Sequence, residues 1–164
     1  MARVKTVPTP KPAAWFVLAV LTLGLDQLSK LAVVNTMTLG QSIGLTDFLN
    51  LVYVLNTGAA FSFLADAGGW QKWFFTGLAL LVVLLLGWMI TRAPKQKTFA
   101  TGASLIIGGA IGNVIDRLTI GAVVDFIDLH WRSWHWPAFN VADSAICLGA
   151  FLLIVDELRR VKRG

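Results

Sequence analysis

With 164 residues, 56% of them hydrophobic and 14% charged, and a mean hydropathy of +0.70, the chain is too apolar for a soluble globular domain. It is sized for one membrane-spanning domain. A single cysteine, Cys147, excludes an intrachain disulfide framework.

Residues 1–12 carry Arg3, Lys5 and Lys11 among Pro8, Pro10 and Pro12, and read as a short basic cytoplasmic tail. Residues 13–34 form an apolar run broken only by Asp26 and Lys30. The run is long for a secretory leader and no A-x-A pattern closes it, so an uncleaved first span is expected. Residues 35–69 then lie outside the membrane. Within them Phe48 to Leu55 is rich in β-formers and predicts one or two strands. Asn56-Thr57-Gly58 makes a turn, and Ala59 to Leu64 is expected as a short helix on the membrane surface. Trp73 to Ile90 is uncharged over 18 residues, and Phe99 to Ile115 over 17. They place a second span at 70–91 and a third at 98–118. Residues 119–139 form a second outer segment, with Asp125, Asp128 and a Trp/His cluster. Ser144 to Val155 is a shorter clean run, which extends to a fourth span at 140–158.

The basic residues orient these spans. With the N-terminus inside, ten of the fourteen lie on the cytoplasmic face, from Arg3 through Arg92 and Lys97 to Arg163. Lys30, Lys72, Arg117 and Arg132 fall outside. Both termini are then cytoplasmic. The net charge of +5 is explained by topology, and no nucleic-acid partner is expected. All seven tryptophans fall near span ends, as an interfacial aromatic belt requires.

The polar residues gather in one region. Asn113, Asp116 and Arg117 are spaced i, i+3, i+4 on one helix face. They serve either as a structural ion network or as holders of a substrate backbone. Gly108 and Gly112, one turn earlier, permit close helix approach. Asp125 and Asp143 each follow a small or apolar stretch. Brought together, two carboxylates share a proton and serve as base and acid. Apart, Asp125 begins a turn and Asp143 caps the fourth span. Asp26 and Lys30, at i, i+4, form an internal ion pair or a proton relay. His130 and His135 fit no strong metal-ligand spacing, and Cys147 reads as a packing thiol. There is no phosphate-binding glycine loop, Gly-x-Ser-x-Gly elbow or His-Glu-x-x-His motif. Besides an enzyme, the residues admit a small polytopic carrier or channel with a polar intramembrane pathway, or a membrane scaffold.

Five ordered motifs narrow this. Asp26-Gln27-Leu28-Ser29-Lys30, Asn56-Thr57-Gly58-Ala59-Ala60-Phe61, Gly108 to Arg117, Val123-Val124-Asp125-Phe126 and Phe139-Asn140-Val141-Ala142-Asp143-Ser144 together resemble lipoprotein signal peptidases, the type II signal peptidases of bacteria. The resemblance covers roughly Asp26 to Gly149. It implies an all-α membrane fold with a small β element: four spans, an extracytoplasmic β-cradle and a short interfacial helix acting as a lid. It implies an aspartic endopeptidase that cuts prolipoproteins before a diacylglyceryl-modified cysteine, at the periplasmic face of the inner membrane. Asp125 and Asp143 are then the catalytic dyad. Asn56, Gly58, Asn113, Arg117 and Asn140 line the substrate site, and Asp26, Lys30 and Asp116 are structural. The expected partners are prolipoprotein, membrane lipid and globomycin-like cyclic peptide inhibitors. No cofactor or metal is expected, and the chain is expected to act as a monomer.

Overall fold

A computed structural model describes residues 11–58 and 69–162. The elements run α1 (Pro12–Thr36), β1 (Ser42–Thr46), β2 (Leu49–Asn56), α2 (Trp70–Arg92), α3 (Lys97–Thr119), β3 (Val123–Trp131), β4 (Trp134–His135) and α4 (Val141–Val161). The expected tail and the expected helix at 59–64 lie outside the described residues, apart from Lys11 and Pro12.

The bundle is inside-out. Val17, Val20, Leu21, Leu25 and Leu28 of α1, Leu81 and Leu84 of α2, and Phe151 and Ile154 of α4 are exposed, while Asp26, Lys30, Asn113, Asp116, Arg117 and Asn140 are buried. Water would reverse this arrangement; hydrocarbon permits it, because exposed leucine costs nothing in lipid and charge must hide against partners. Helices α1, α2 and α3 are long and apolar enough to cross a membrane. Within their most apolar windows α3 is 67% buried, against 28% for α1 and 17% for α2, so α3 is the axis on which the others pack.

Glycine allows that packing. A Cβ on Gly109 would lie 2.5 Å from the carbonyl oxygen of Ala142 in α4, and one on Gly108 would strike the Ala19 carbonyl in α1. Further along, Gly102 of α3 and Gly149 of α4 face each other's backbones. The α4 helix therefore runs alongside α3, held at backbone contact distance.

An apolar cluster of Ala19, Leu86, Ile90, Ala103, Ile106 and Ile107 fills one half of the bundle. A second cluster, Val33, Met37, Val124 and Phe126, joins the far end of α1 to the sheet. The sheet is antiparallel, in the order β1-β2-β3-β4. Strand β2 overlaps the predicted segment from Leu49 to Leu55, leaving out Phe48; its partners β1 and β3 are not predicted as strands. Asp125 lies within β3, opposite Val54, not at the turn that was the alternative for it. Past β4 the chain returns to β3: the Phe126 and Ile127 amides donate to the Phe139 carbonyl at 3.0 and 2.8 Å. That pairing sets down the next residue, Asn140, beside Asp125.

Candidate active site

Lys30 lies at the centre of the polar layer. Its ammonium is 2.9 Å from Asp26 Oδ2 and 2.8 Å from Asp116 Oδ2, and it donates to Asn113 Oδ1 at 2.9 Å. Three donors thus meet three acceptors, which is what a lysine only 3% exposed requires. The two carboxylates carry the pairing outward. Asp26 Oδ1 accepts from the Ala142 amide at 2.9 Å, in the first turn of α4. Asp116 Oδ2 accepts from the Val124 amide at 3.1 Å, at the start of β3. Gln27 donates to Asp116 Oδ1 at 3.0 Å and to the Gly112 carbonyl at 3.2 Å. One buried ion cluster therefore fastens α1, α3, β3 and α4 together.

Above it stand the other two carboxylates. Asn140 is the N-cap of α4 and closes a capping box with Asp143: Oδ1 accepts from the Asp143 amide at 2.9 Å, and the Asn140 amide donates to Asp143 Oδ2 at 3.3 Å. The capping role is therefore present at Asp143. It coexists with a second one, since Asn113 Nδ2 donates to Asp143 Oδ1 at 2.8 Å. On the other side Asn140 Nδ2 donates to Asp125 Oδ1 at 2.7 Å, and Asn56 Nδ2 to Asp125 Oδ2 at 3.0 Å. Asn140 thus bridges Asp125 and Asp143, whereas Asp116 faces Lys30. Burial first, and the charge of Asp143 second, push the Asp125 carboxyl from an ordinary 3.8 up to about 7, against the amide hydrogen bonds that favour its ionised form.

Arg117 completes the layer. It donates to the Gly58 carbonyl at 3.0 Å and to the Asn113 carbonyl at 3.4 Å, and its guanidinium lies over the Phe75 ring at 5.5 Å. Its buried Nε has no hydrogen-bond partner among the described residues. Beside these groups opens a groove of ≈ 380 Å³. Asn56, Asn113, Arg117 and Asp143 line its polar end, and Val123, Trp136, Phe139 and Ile146 contribute apolar wall. Asp125 and Asn140 sit behind this lining, 2% and 0% exposed.

Two features escaped the sequence reading. Gln27 stands inside the Asp26 to Lys30 motif with no role assigned to it; its bonds to α3 are long-range. Trp136 reads as an interfacial aromatic and Phe139 only as part of a motif, and only the return of the chain onto β3 brings them to the groove. The two histidines lie apart from the site. His135 Nδ1 is 2.9 Å from Asp128 Oδ2, and His130 stacks on His135 with centroids 5.1 Å apart. Burial would raise Asp128, but hydrogen bonds from Asn50 and His135 outweigh it and hold that carboxyl below its usual value.

An inside-out bundle with a paired ionic layer and hydrogen-bonded carboxylates beside an apolar groove is a multi-pass membrane protein with a candidate catalytic centre at one end. Solved structures agree with that class. A bacterial membrane enzyme determined by the in meso method at 2.3 Å superposes with a TM-score of 0.83 at 30% identity, covering 92% of this chain and 91% of that one. A second, at 1.9 Å, gives 0.77 at 31% identity over 89% and 93%. The chain belongs to the signal peptidase II family: residues 18–159 match the sequence profile of Signal peptidase (SPase) II. It is 58% identical over 152 residues to the lipoprotein signal peptidase of Cupriavidus necator, covering 93% of this chain and 87% of the relative. To that of Paraburkholderia phytofirmans it is 50% identical over 169 residues, covering 99% and 98%. It is therefore a membrane protease.

Proposed function

We propose that the acidic centre carries out the family's reaction, removal of signal peptides from prolipoproteins, as an aspartic endopeptidase with Asp125 and Asp143 as its dyad. The bond cut is the one before the diacylglyceryl-modified cysteine. The observation that carries this reading is the convergence of Asp125 and Asp143 on Asn140 beside an apolar groove. Burial and the charge of Asp143 raise the Asp125 carboxyl to about 7. At neutral pH the pair can therefore hold one shared proton, and this is the form that enters the reaction. The ionised carboxylate takes a proton from water as the water attacks the scissile carbonyl. The protonated one supplies a proton, and the leaving amine departs neutral.

A helical peptide in lipid hides its amides, so the cleaved segment must unwind. Asn56, Gly58, Asn113 and Arg117 are the groups assigned to hold the freed backbone, while Asn140, buried behind the lining, positions the two carboxylates. The Arg117 Nε, which has no partner among the described residues, and the groove-lining side chains of Asn56 and Asn113 support this. The apolar wall suits the acyl chains of the lipidated cysteine. Cyclic peptides of the globomycin type would compete for the same groove.

The protein crosses the inner membrane four times as a monomer, with both termini in the cytoplasm and the dyad at the periplasmic surface. The placement of α4 supports the fourth crossing. Leu153 and Arg160 share a cleft with Arg92, Gln96 and Phe99 at the end of the bundle opposite the carboxylates. A carrier or channel is not favoured, because Lys30, Asp26 and Asp116 are engaged with one another. Purified enzyme with a diacylglyceryl-modified proprotein tests the assignment. Asp125→Asn and Asp143→Asn should each lower release of signal peptide by about 100-fold or more, while Asp128→Asn stays near wild type. Full activity in either dyad variant would remove that aspartate from the mechanism.

A further inference from the structure

We propose that Lys30 is a positioning residue for the reaction: its ammonium holds the Asn113 side-chain amide in the one orientation that presents an N–H to Asp143. This rests on the dyad reading above and deepens it. An ammonium has three donors and no acceptor, so whichever end of the Asn113 amide faces Lys30 Nζ at 2.9 Å must be the oxygen. The nitrogen then faces Asp143 Oδ1, at 2.8 Å. Were the amide reversed, Nδ2 would oppose the ammonium and Oδ1 would oppose a carboxylate oxygen, an arrangement repulsive at both ends.

Among the described residues nothing else around Asn113 fixes its amide so firmly. Asn140 Nδ2 also points at Asn113 Oδ1, but at 3.3 Å and while serving Asp125 Oδ1 and the Val124 carbonyl. The Asn140 amide is itself oriented by a donor that cannot reverse, the backbone N–H of Asp143. Each carboxylate thus receives an amide N–H whose direction is imposed from behind: by the backbone at Asn140 and by a side-chain charge at Asn113. Asp26 and Asp116 hold the ammonium in place for this, at 0% and 3% exposure.

The test must separate orientation from folding, because removing Lys30 alone leaves Asp26 and Asp116 as buried unpaired neighbours. Asp116→Asn/Lys30→Met has the wild-type net charge in the cluster and is compared with Asp116→Asn, which retains the ammonium. The expected result is a kcat at least about tenfold lower in the double variant, with KM little changed and equal thermal midpoints. In an Asn113→Ala background the same Lys30→Met step should change kcat by less than about threefold, since no amide remains to orient. An undiminished loss in that background, or no loss in the first comparison, overturns the proposal.

If the double variant does not fold, the wild type decides. In ¹⁵N-asparagine-labelled protein the Asn113 amide pair is identified by its absence in Asn113→Ala. One proton should be strongly deshielded by the carboxylate, and Asp143→Asn should abolish that; an amide pair without this signature overturns the orientation. The dyad reading is judged separately, by the activity of Asp143→Asn.

Discussion

The chemistry of Asp125 departs from that of its free amino acid, and the departure has a measurable sign. Its folded-state value of about 7 lies above the ordinary 3.8. Between those values the unfolded chain has lost the proton and the folded chain keeps it. The contribution of Asp125 to stability is therefore intact below about pH 4 and falls as pH rises toward 7. Asp125→Asn removes the titration. In thermal unfolding at pH 8 the variant should be more stable than wild type, while at pH 4 the two should coincide. The interval from 3.8 to about 7, at ~1.4 kcal/mol per pH unit, caps the gain at roughly 4 kcal/mol. A variant no more stable at pH 8 than at pH 4, relative to wild type, would show that the carboxylate is not destabilising. The same residue marks how far sequence reaches. Motifs name Asp125, Asp143 and Asp116 alike, but three aspartates in one polar region do not declare their partners. Lys30 and the Val124 amide engage Asp116, while Asn140 connects Asp125 to Asp143; these pairings span up to 86 positions of chain, the separation between Lys30 and Asp116. Only the Asn140–Asp143 step is local, a capping box; no local pattern encodes the others.

The helices were legible because lipid imposes long uncharged runs, and the runs found around Trp73–Ile90 and Phe99–Ile115 lie within α2 and α3. Strand β3 was not legible, because Val123 to Trp131 ends in His130 and Trp131 and runs on into Trp134 and His135, a cluster that reads equally well as an interfacial loop. Its strand character comes from pairing with β2 and from the return of Phe139. Glycine spacing in α3 predicted close helix contact without saying which glycine serves which neighbour. Gly108 and Gly112 face α1, and Gly109 faces α4. That division predicts an unequal response to one added methyl group. Gly109→Ala drives its Cβ into the Ala142 carbonyl, 2.5 Å away, and pushes out the turn that carries Asn140 and Asp143. Stability should fall by about 1–3 kcal/mol and activity should fall with it. Gly77→Ala on α2 meets nothing within 4 Å and removes a flexible residue from a helix, so it should be neutral or stabilising by up to ~1 kcal/mol. Thermal midpoints and turnover of the two variants, measured side by side, check the assignment of faces; equal effects would contradict it.

At the scale of the whole molecule, the arrangement follows from one asymmetry between the two ends of the bundle. One end carries the carboxylates, the sheet and the exposed Trp131, Trp134 and Trp136. At the other, Trp15 donates to the Pro94 carbonyl at 3.1 Å, Arg92 lies over Trp88 at 5.5 Å, and Lys95, Lys97, Arg159, Arg160 and Lys162 follow in the adjoining segments. Basic residues in short loops stay cytoplasmic. The basic end should therefore face inward and the acid centre outward, where water for hydrolysis is available without crossing lipid. Labelling tests this directly. In a Cys147→Ser background, Arg132→Cys in the turn between β3 and β4, and Lys95→Cys between α2 and α3, are each treated in intact spheroplasts with a membrane-impermeant maleimide. The first should react from outside, and the second only after the membrane is permeabilised. Reaction of Lys95→Cys from outside would invert the protein and place the proposed dyad in the cytoplasm, on the side opposite an exported substrate's cleavage site. Protection of both would argue that the β3–β4 turn is buried by lipid or a partner, and Asp125 would then lack the aqueous access that hydrolysis demands.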